Sequence, residues 1–319
     1  MAMAKSHLIL AALAAEAASG KNFVSTRLTS DMTPGFDSAV LESDIGRNYQ
    51  VLVPTSKQSE KEMETELNAL KLVSPLASTT LATPEIIGQT KDSDGSSVVV
   101  LSFEKSKDIR LGSKNSEPVE LLSAELARVH SLSITDAQAL EIQAFTPTEL
   151  NSELVAELDK LADSGKVPGV LLSRWERALE DIGLWRYRPT VIHGSIGSDN
   201  VGIAGDKLVL RGFGSMRISD PAEDFAWIAG GSTEAVLNSC FAQYAEIKEA
   251  DENMVKRAIL YSEVELARWL SYCIESGDQR SAEAAAADIE NLAEDAQKSD
   301  LPSLEATSFI GLNQEQNDS

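Results

Sequence analysis

The chain has 319 residues, a length that fits two lobes or two domains better than one small core. Its 28 basic and 50 acidic residues give a formal charge of −22, which repels phosphate backbones and argues against nucleic-acid binding. Acidity of this kind could attract a cationic ligand, or it could serve solubility alone. No stretch reaches the roughly 20 apolar residues of a membrane-spanning helix, so no membrane partner is expected.

The start of the chain predicts an Ala-rich helix over residues 1–19, ended by Gly20. A signal peptide is the alternative, because Lys5 precedes an apolar run and residues 15–17 resemble a cleavage site. The run is short and Glu16 interrupts it, which favours the helix.

The two cysteines, Cys240 and Cys273, lie in segments with a helical pattern and apolar neighbours. Two isolated cysteines with no short spacing indicate neither a zinc site nor a disulfide framework. We therefore expect a reducing, cytoplasmic location.

The next part of the chain is rich in predicted strands, with one helix inserted. The predicted strands cover residues 23–28, 36–41, 49–53, 84–88 and 97–103. The second and third of them flank a polar, Gly-containing turn and form a predicted hairpin. Between the third and fourth, Met63, Leu67 and Leu70 share one face of a predicted helix over residues 59–73.

The remainder is mostly helical in pattern. Helices are predicted from Glu117, over residues 148–163 and 169–182, and from about 221 to 298, with a short β region at 190–212. The sequence thus predicts a strand-rich lobe with a leading helix over 1–103, a hinge over 104–116, a helical lobe over 117–298 and a mobile tail over 299–319.

The β region of the second lobe holds the motifs that carry chemistry. A buried-strand pattern at 190–192 runs into His-Gly-Ser-Ile-Gly-Ser-Asp-Asn at 193–200. A predicted hairpin over 201–211 follows, and then Gly-Phe-Gly at 212–214 and Asp-Pro-Ala-Glu-Asp-Phe-Ala at 220–226.

This order resembles the aminoglycoside phosphotransferase and choline kinase superfamily, whose motifs read H-G-D-x-H-x-x-N, D-[FW]-[GE] and D-P-x-x-D-x-A. Residues 125–130 resemble its L-A-x-x-H helix end. Residues 174–176 and 184–189 resemble the bacterial macrolide phosphotransferase-like branch. The resemblance covers most of residues 8–275. It implies an α+β, two-lobed protein-kinase-like fold, with an N-terminal antiparallel sheet lobe holding one helix and a mostly helical C-terminal lobe.

The resemblance also implies ATP and magnesium as cofactors, yet this sequence departs from the family at the residues that use them. In such folds a loop Asp accepts the substrate hydroxyl proton, and an Asn and a second Asp hold magnesium. Here Ser195 stands at the catalytic Asp position and Gly212 at the metal Asp position. Asn200 remains, and one neutral amide is a weak magnesium site.

Other site residues follow from the same resemblance. The first-lobe lysine is missing from the strand at 49–53, so Glu66, its expected partner near the nucleotide, has lost its ion pair. Asp199 is a possible substitute base, or a turn residue. His193 is expected to be structural and to support the loop.

Two functions remain open from the sequence. The first is a catalytically degenerate, pseudokinase-like protein that binds a small-molecule ligand or a protein partner. The second is an active ATP-dependent phosphotransferase that adds phosphate to a hydroxyl of a small molecule such as an aminoglycoside or macrolide.

Overall fold

The computed structural model describes residues 4–29, 33, 35–112 and 116–307. The helices are α1 (His7–Ala17), α2 (Lys57–Val73), α3 (Glu117–His130), α4 (Ile134–Ala139), α5 (Pro147–Asp163), α6 (Gly169–Glu180), α7 (Ala226–Gly231), α8 (Glu234–Ala245), α9 (Met254–Ser276) and α10 (Gln279–Lys298). The strands are β1 (Phe23–Leu28), β2 (Phe36–Ser43), β3 (Asn48–Pro54), β4 (Leu81–Ala82), β5 (Ile86–Lys91), β6 (Ser97–Ser102), β7 (Lys107–Asp108), β8 (Thr190–Ile192), β9 (Val201–Ala204), β10 (Lys207–Leu210) and β11 (Arg217–Ser219).

The chain divides into two compact units. The first comprises residues 1–144, 190–218 and 238–248, and the second comprises 145–189, 219–237 and 249–319. The first unit holds the sheets, and the later part of the chain is mainly helical. The predicted α+β class, with an N-terminal antiparallel sheet and a helical C-terminal part, is confirmed.

The main sheet has the strand order β1-β2-β3-β6-β5, with antiparallel neighbours throughout. Successive side chains of each strand point to opposite faces of this sheet. On β3, Tyr49, Val51 and Val53 join a buried core with Leu10 and Ala14 of α1. The other β3 face, carrying Gln50 and Leu52, lines a cavity described below.

The predicted first helix is present as α1, and its end packs closely on strand β5 at Gly88. A Cβ atom at Gly88 would overlap the Ala17 carbonyl oxygen and lie 2.6 Å from the carbonyl carbon. Only a glycine fits there without moving the helix.

We expect Gly88→Ala to lower the free energy of unfolding by about 1–3 kcal/mol, the usual cost of overpacking. Gly169→Ala is the matched control, because nothing lies within 4 Å of its added methyl group. Urea denaturation of both variants measures the difference. Equal stability of the two variants would show that α1 is not held at this contact.

A second sheet joins strands that are distant in sequence. Its order is β4-β10-β9-β7, with β10 parallel to β4 and antiparallel to β9. The two-residue strands β4 and β7 were not predicted, because two residues carry no period. Strand β7 lies within the segment 104–116 that the sequence assigned to a hinge.

The second unit contains a buried ion network around Arg257 of α9. Arg257 and Asp220 are both fully buried, and Nε and Nη2 of Arg257 lie 2.6 and 3.1 Å from the Asp220 carboxylate oxygens. Nη1 and Nη2 of Arg257 each donate to a carboxylate oxygen of Asp251 at 2.8 Å, and Nη1 also donates to the Leu184 carbonyl oxygen. Its guanidinium lies 4.5 Å from the Tyr187 ring centre.

Asp220 has a further role at the start of the segment after β11. Its Oδ1 accepts a hydrogen bond from the Ala222 backbone amide at 3.0 Å and so caps the following element. The capped element is a short 3-10 turn, Pro221–Phe225, followed by α7, so the region predicted as helical from 221 begins irregularly.

The described part of the predicted tail contacts the second unit. The Ala306 amide donates to Asp181 at 2.7 Å and the Thr307 amide donates to Asn253 at 2.9 Å. The rest of that tail, residues 308–319, lies outside the described residues. Within the described ranges no helix combines the length and apolarity of a bilayer span, and Cys240 and Cys273 are free and buried.

Candidate active site

His193 anchors the loop between β8 and β9. Strand β8 is buried along its length, and His193 directly after it is also fully buried. Its Nε2 donates to the Arg211 carbonyl oxygen at 3.1 Å, and its ring lies 4.5 Å from the Phe213 ring. His193 therefore joins the loop to the end of β10.

Three site residues predicted from the motifs, Ser195, Asn200 and Gly212, hydrogen-bond to one another. Asn200 Nδ2 donates to the Ser195 carbonyl oxygen and, at 3.0 Å, to Ser195 Oγ. Ser195 Oγ donates to the Gly212 carbonyl oxygen at 3.2 Å. The amide donor that Asn200 offers and the Ser195 hydroxyl proton are thus both used inside the loop.

Gly212 has a backbone conformation and surroundings that favour glycine. Its φ of 75° and ψ of 53° lie in the left-handed region, which side chains rarely adopt. A Cβ atom there would lie 2.6 Å from Asn200 Oδ1. An aspartate at this position would hold a strained backbone conformation and would displace the Asn200 side chain.

Glu66 on α2 contacts the two residues that follow Gly212. Its carboxylate accepts hydrogen bonds from the backbone amides of Gly214 and Phe213, and the side chain is only 8% exposed. Burial raises the pKa of Glu66 to about 7, although the two amide hydrogen bonds lower it in part. The α2 helix is held close to Gly214, where a Cβ would lie 3.1 Å from the Glu62 carbonyl oxygen.

No lysine takes the place of the missing first-lobe cation among the described cavity residues. The cavity face of β3 presents Gln50 and Leu52, while Lys57 lies exposed at the start of α2. In the described part of the chain Glu66 has no ion-pair partner.

Ser195, Asn200, Gly212 and Glu66 line one cavity of about 340 Å³ in the first unit. Its apolar lining comprises Phe36, Val40, Leu52, Val99, Leu101 and Phe103. Its charged and polar lining includes Glu62, Glu66, Ser195, Asp199, Asn200 and Arg211. The structure thus brings together every predicted site residue except His193, which lies beneath the loop.

Arg211 is a cavity residue to which the sequence assigned no role. Its Nη2 donates to Ser106 Oγ, and its guanidinium lies 5.3 Å from the Phe103 ring centre. Burial lowers the pKa of Arg211, while Asp108 acts in the opposite direction. The signal available in the sequence was a basic residue between an apolar strand and the altered Gly-Phe-Gly motif.

The donor set does not fit magnesium. The described residues contain no group of three or more His, Cys, Asp or Glu side chains arranged for a metal ion. Magnesium prefers carboxylate and phosphate oxygens, whereas Ser195 and Asn200 offer only neutral oxygens and Gly212 has no side chain.

Comparison with known proteins agrees with the motif order. The sequence matches the profile of the APH phosphotransferase enzyme family over residues 37–258. No curated protein matches the chain.

Several solved structures share the fold. The apoenzyme of macrolide 2′-phosphotransferase MphH from Brachybacterium faecium has 16% sequence identity and a TM-score of 0.72, covering 89% of this chain and 98% of that one. A type I macrolide 2′-phosphotransferase has 18% identity and a TM-score of 0.71, covering 91% and 98%. The GDP complex of aminoglycoside 2′-phosphotransferase-IIIa has 15% identity and a TM-score of 0.72, covering 93% and 100%. With the family profile spanning more than half of its length, the chain belongs to the APH phosphotransferase enzyme family.

Proposed function

We propose that this chain is a catalytically degenerate member of its family that binds a small molecule in the cavity without transferring phosphate. The observation that supports this most is the closed hydrogen-bond network of Ser195, Asn200 and Gly212. The network uses the Ser195 hydroxyl proton and both amide hydrogens of Asn200. These three residues leave a metal ion the neutral Asn200 Oδ1 oxygen but no carboxylate, and they offer a substrate hydroxyl no base. The buried, free cysteines suit the cytoplasmic location expected from the sequence.

The missing groups account for much of the catalysis expected of this family. General-base assistance contributes typically about 10²–10⁴-fold in rate, and a serine hydroxyl does not supply it near neutral pH. Phosphoryl transfer depends mainly on positioning and on charge stabilisation by metal ions and cations. Loss of the metal carboxylate at Gly212 and of the first-lobe lysine removes both kinds of charge.

The cavity also suits a nucleoside triphosphate poorly. Glu62, Glu66 and Asp199 contribute negative charge, and Arg211 is the one basic residue among the described lining. A triphosphate without bound magnesium would be repelled by these carboxylates and by the net charge of −22.

We therefore expect ATP and GTP at millimolar concentration, with magnesium, to leave the melting temperature unchanged. A ligand at a hundred times its dissociation constant would add about 2.7 kcal/mol to the stability of the folded state. Differential scanning fluorimetry with and without magnesium makes the measurement, and magnesium with EDTA serves as the control. A magnesium-dependent rise with either nucleotide would contradict the proposal.

The second candidate is an active ATP-dependent phosphotransferase acting on a hydroxyl of an aminoglycoside or macrolide. The observation in its favour is that Asp199, the possible substitute base, lines the cavity. Similar structures are of macrolide and aminoglycoside phosphotransferases, one of them holding GDP. Transfer of labelled γ-phosphate to such a compound, abolished by Asp199→Asn and retained in Asp206→Asn at the exposed β9–β10 turn, would establish this function instead.

A further inference from the structure

The buried carboxylate of Glu66 is left without a counter-ion. It is 8% exposed and receives only two backbone amides among the described residues. A buried ion without an opposite charge is costly, so such a group either holds a proton or pairs with a cation. The cavity that it lines is therefore prepared for positive charge.

The other charged groups of the cavity lead to the same conclusion. Glu62 is half-buried and accepts a hydrogen bond from Gln58 at 2.9 Å, and Asp199 is exposed at the edge. The one opposing charge, Arg211, already contacts Ser106 and the Phe103 ring. Its Nε is buried and has no partner in the described structure.

The remaining wall of the cavity is apolar. Val99, Leu101 and Phe103 alternate along and just beyond β6, so their side chains share the cavity face. At about 3.3 Å per residue they extend over roughly 13 Å. Leu52 on the neighbouring strand β3 and Val40 on β2 beyond it continue this wall.

We propose that the cavity binds a small organic amine, whose ammonium group pairs with Glu66 and whose apolar body lies against the β6 wall. The ligand's ammonium would stand where the missing lysine leaves Glu66 unpaired. The cavity volume of about 340 Å³ lies within the range of small-molecule sites. This inference rests on the proposed function, because it assigns the cavity to a ligand other than a nucleotide.

The pairing makes amine binding depend on pH. An ammonium ion binds the ionised form of Glu66, and burial holds the pKa of this carboxyl near 7 in the free protein. Glu62, Asp199 and Arg211 are the other charged groups lining the cavity, and the 3-10 turn Phe213–Ser215 packed against α2 contributes none. Binding of an amine should therefore tighten about tenfold between pH 6 and pH 8, as Glu66 loses its proton.

Calorimetric titration of the full chain with 2-phenylethylamine and with 2-phenylethanol tests the proposal. We expect the amine to bind at least tenfold more tightly than the alcohol at pH 8, and to lose this preference in Glu66→Gln. Glu64→Gln, on the exposed side of the same helix, removes the same charge and should keep the preference. Titration in two buffers of different ionisation enthalpy should show proton release near pH 7.

Equal binding of the amine and the alcohol, or an amine preference that survives Glu66→Gln, would overturn the inference. Equal loss in Glu64→Gln would also overturn it, because the overall acidity of the chain would then explain the attraction. The melting-temperature measurement with ATP and GTP tests the proposed function independently of the amine titration. A magnesium-dependent ATP shift would refute the degenerate-enzyme proposal while leaving the amine measurement to stand on its own.

Discussion

Arg257→Met is expected to lower the free energy of unfolding by about 3–5 kcal/mol, the usual cost of removing one partner of a buried ion pair. The change leaves Asp220, which is fully buried, without its counter-ion. Asp251 and the Leu184 carbonyl lose their donor at the same time. Urea denaturation followed by circular dichroism measures the loss.

The control for this prediction lies on the same helix. Arg268 makes a two-point pair with Glu157, but it is 37% exposed. Exposed pairs contribute little, so Arg268→Met should cost less than about 1 kcal/mol. If the two substitutions cost the same, burial of the Arg257 network does not determine its contribution.

Glu66→Gln is expected to stabilise the protein at neutral and alkaline pH and to leave it unchanged in acid. The pKa of Glu66 is about 7 in the folded chain against an ordinary value of 4.5. Between these values the unfolded chain releases the proton that the folded chain retains, so stability falls as pH rises. At about 1.4 kcal/mol per pH unit the full loss is about 3 kcal/mol above pH 7.

A glutamine keeps an acceptor for the amides of Phe213 and Gly214 and never ionises. The unfolding free energies of variant and wild type should therefore agree at pH 4.5 and differ most at pH 8. Glu64→Gln, at an exposed position on α2, controls for the general repulsion within an acidic chain. A variant less stable than wild type at pH 8 would show that the ionised carboxylate is favoured in the fold.

Periodicity predicted the parts of this fold that are long enough to have a period. The α2 helix, predicted over residues 59–73, occupies Lys57–Val73, with Ser56 capping its start. The hairpin at 36–53 is present as β2 and β3. The sequence could not decide which face of β3 meets the cavity, because Leu52 and its neighbours Val51 and Val53 are all apolar.

The candidate site was located from its motifs, but its state depends on contacts that motifs do not encode. Ser195 and Gly212 were identified as departures from the family pattern. That Asn200 is bonded to Ser195 and fills the space beside Gly212 follows from the loop conformation. Likewise, the amide partners of Glu66 come from a segment about 150 residues later in the chain, a distance over which sequence patterns give no pairing.

The second sheet has a consequence for the order in which the chain acquires structure during synthesis. Strand β4 leaves the ribosome more than 120 residues before its parallel partner β10. Until then β4 has no strand beside it, and α2 lacks the 3-10 turn Phe213–Ser215 that it packs against. The nascent first unit therefore exposes apolar surface for many seconds at usual elongation rates, a period in which it depends on chaperones or on its own low aggregation tendency.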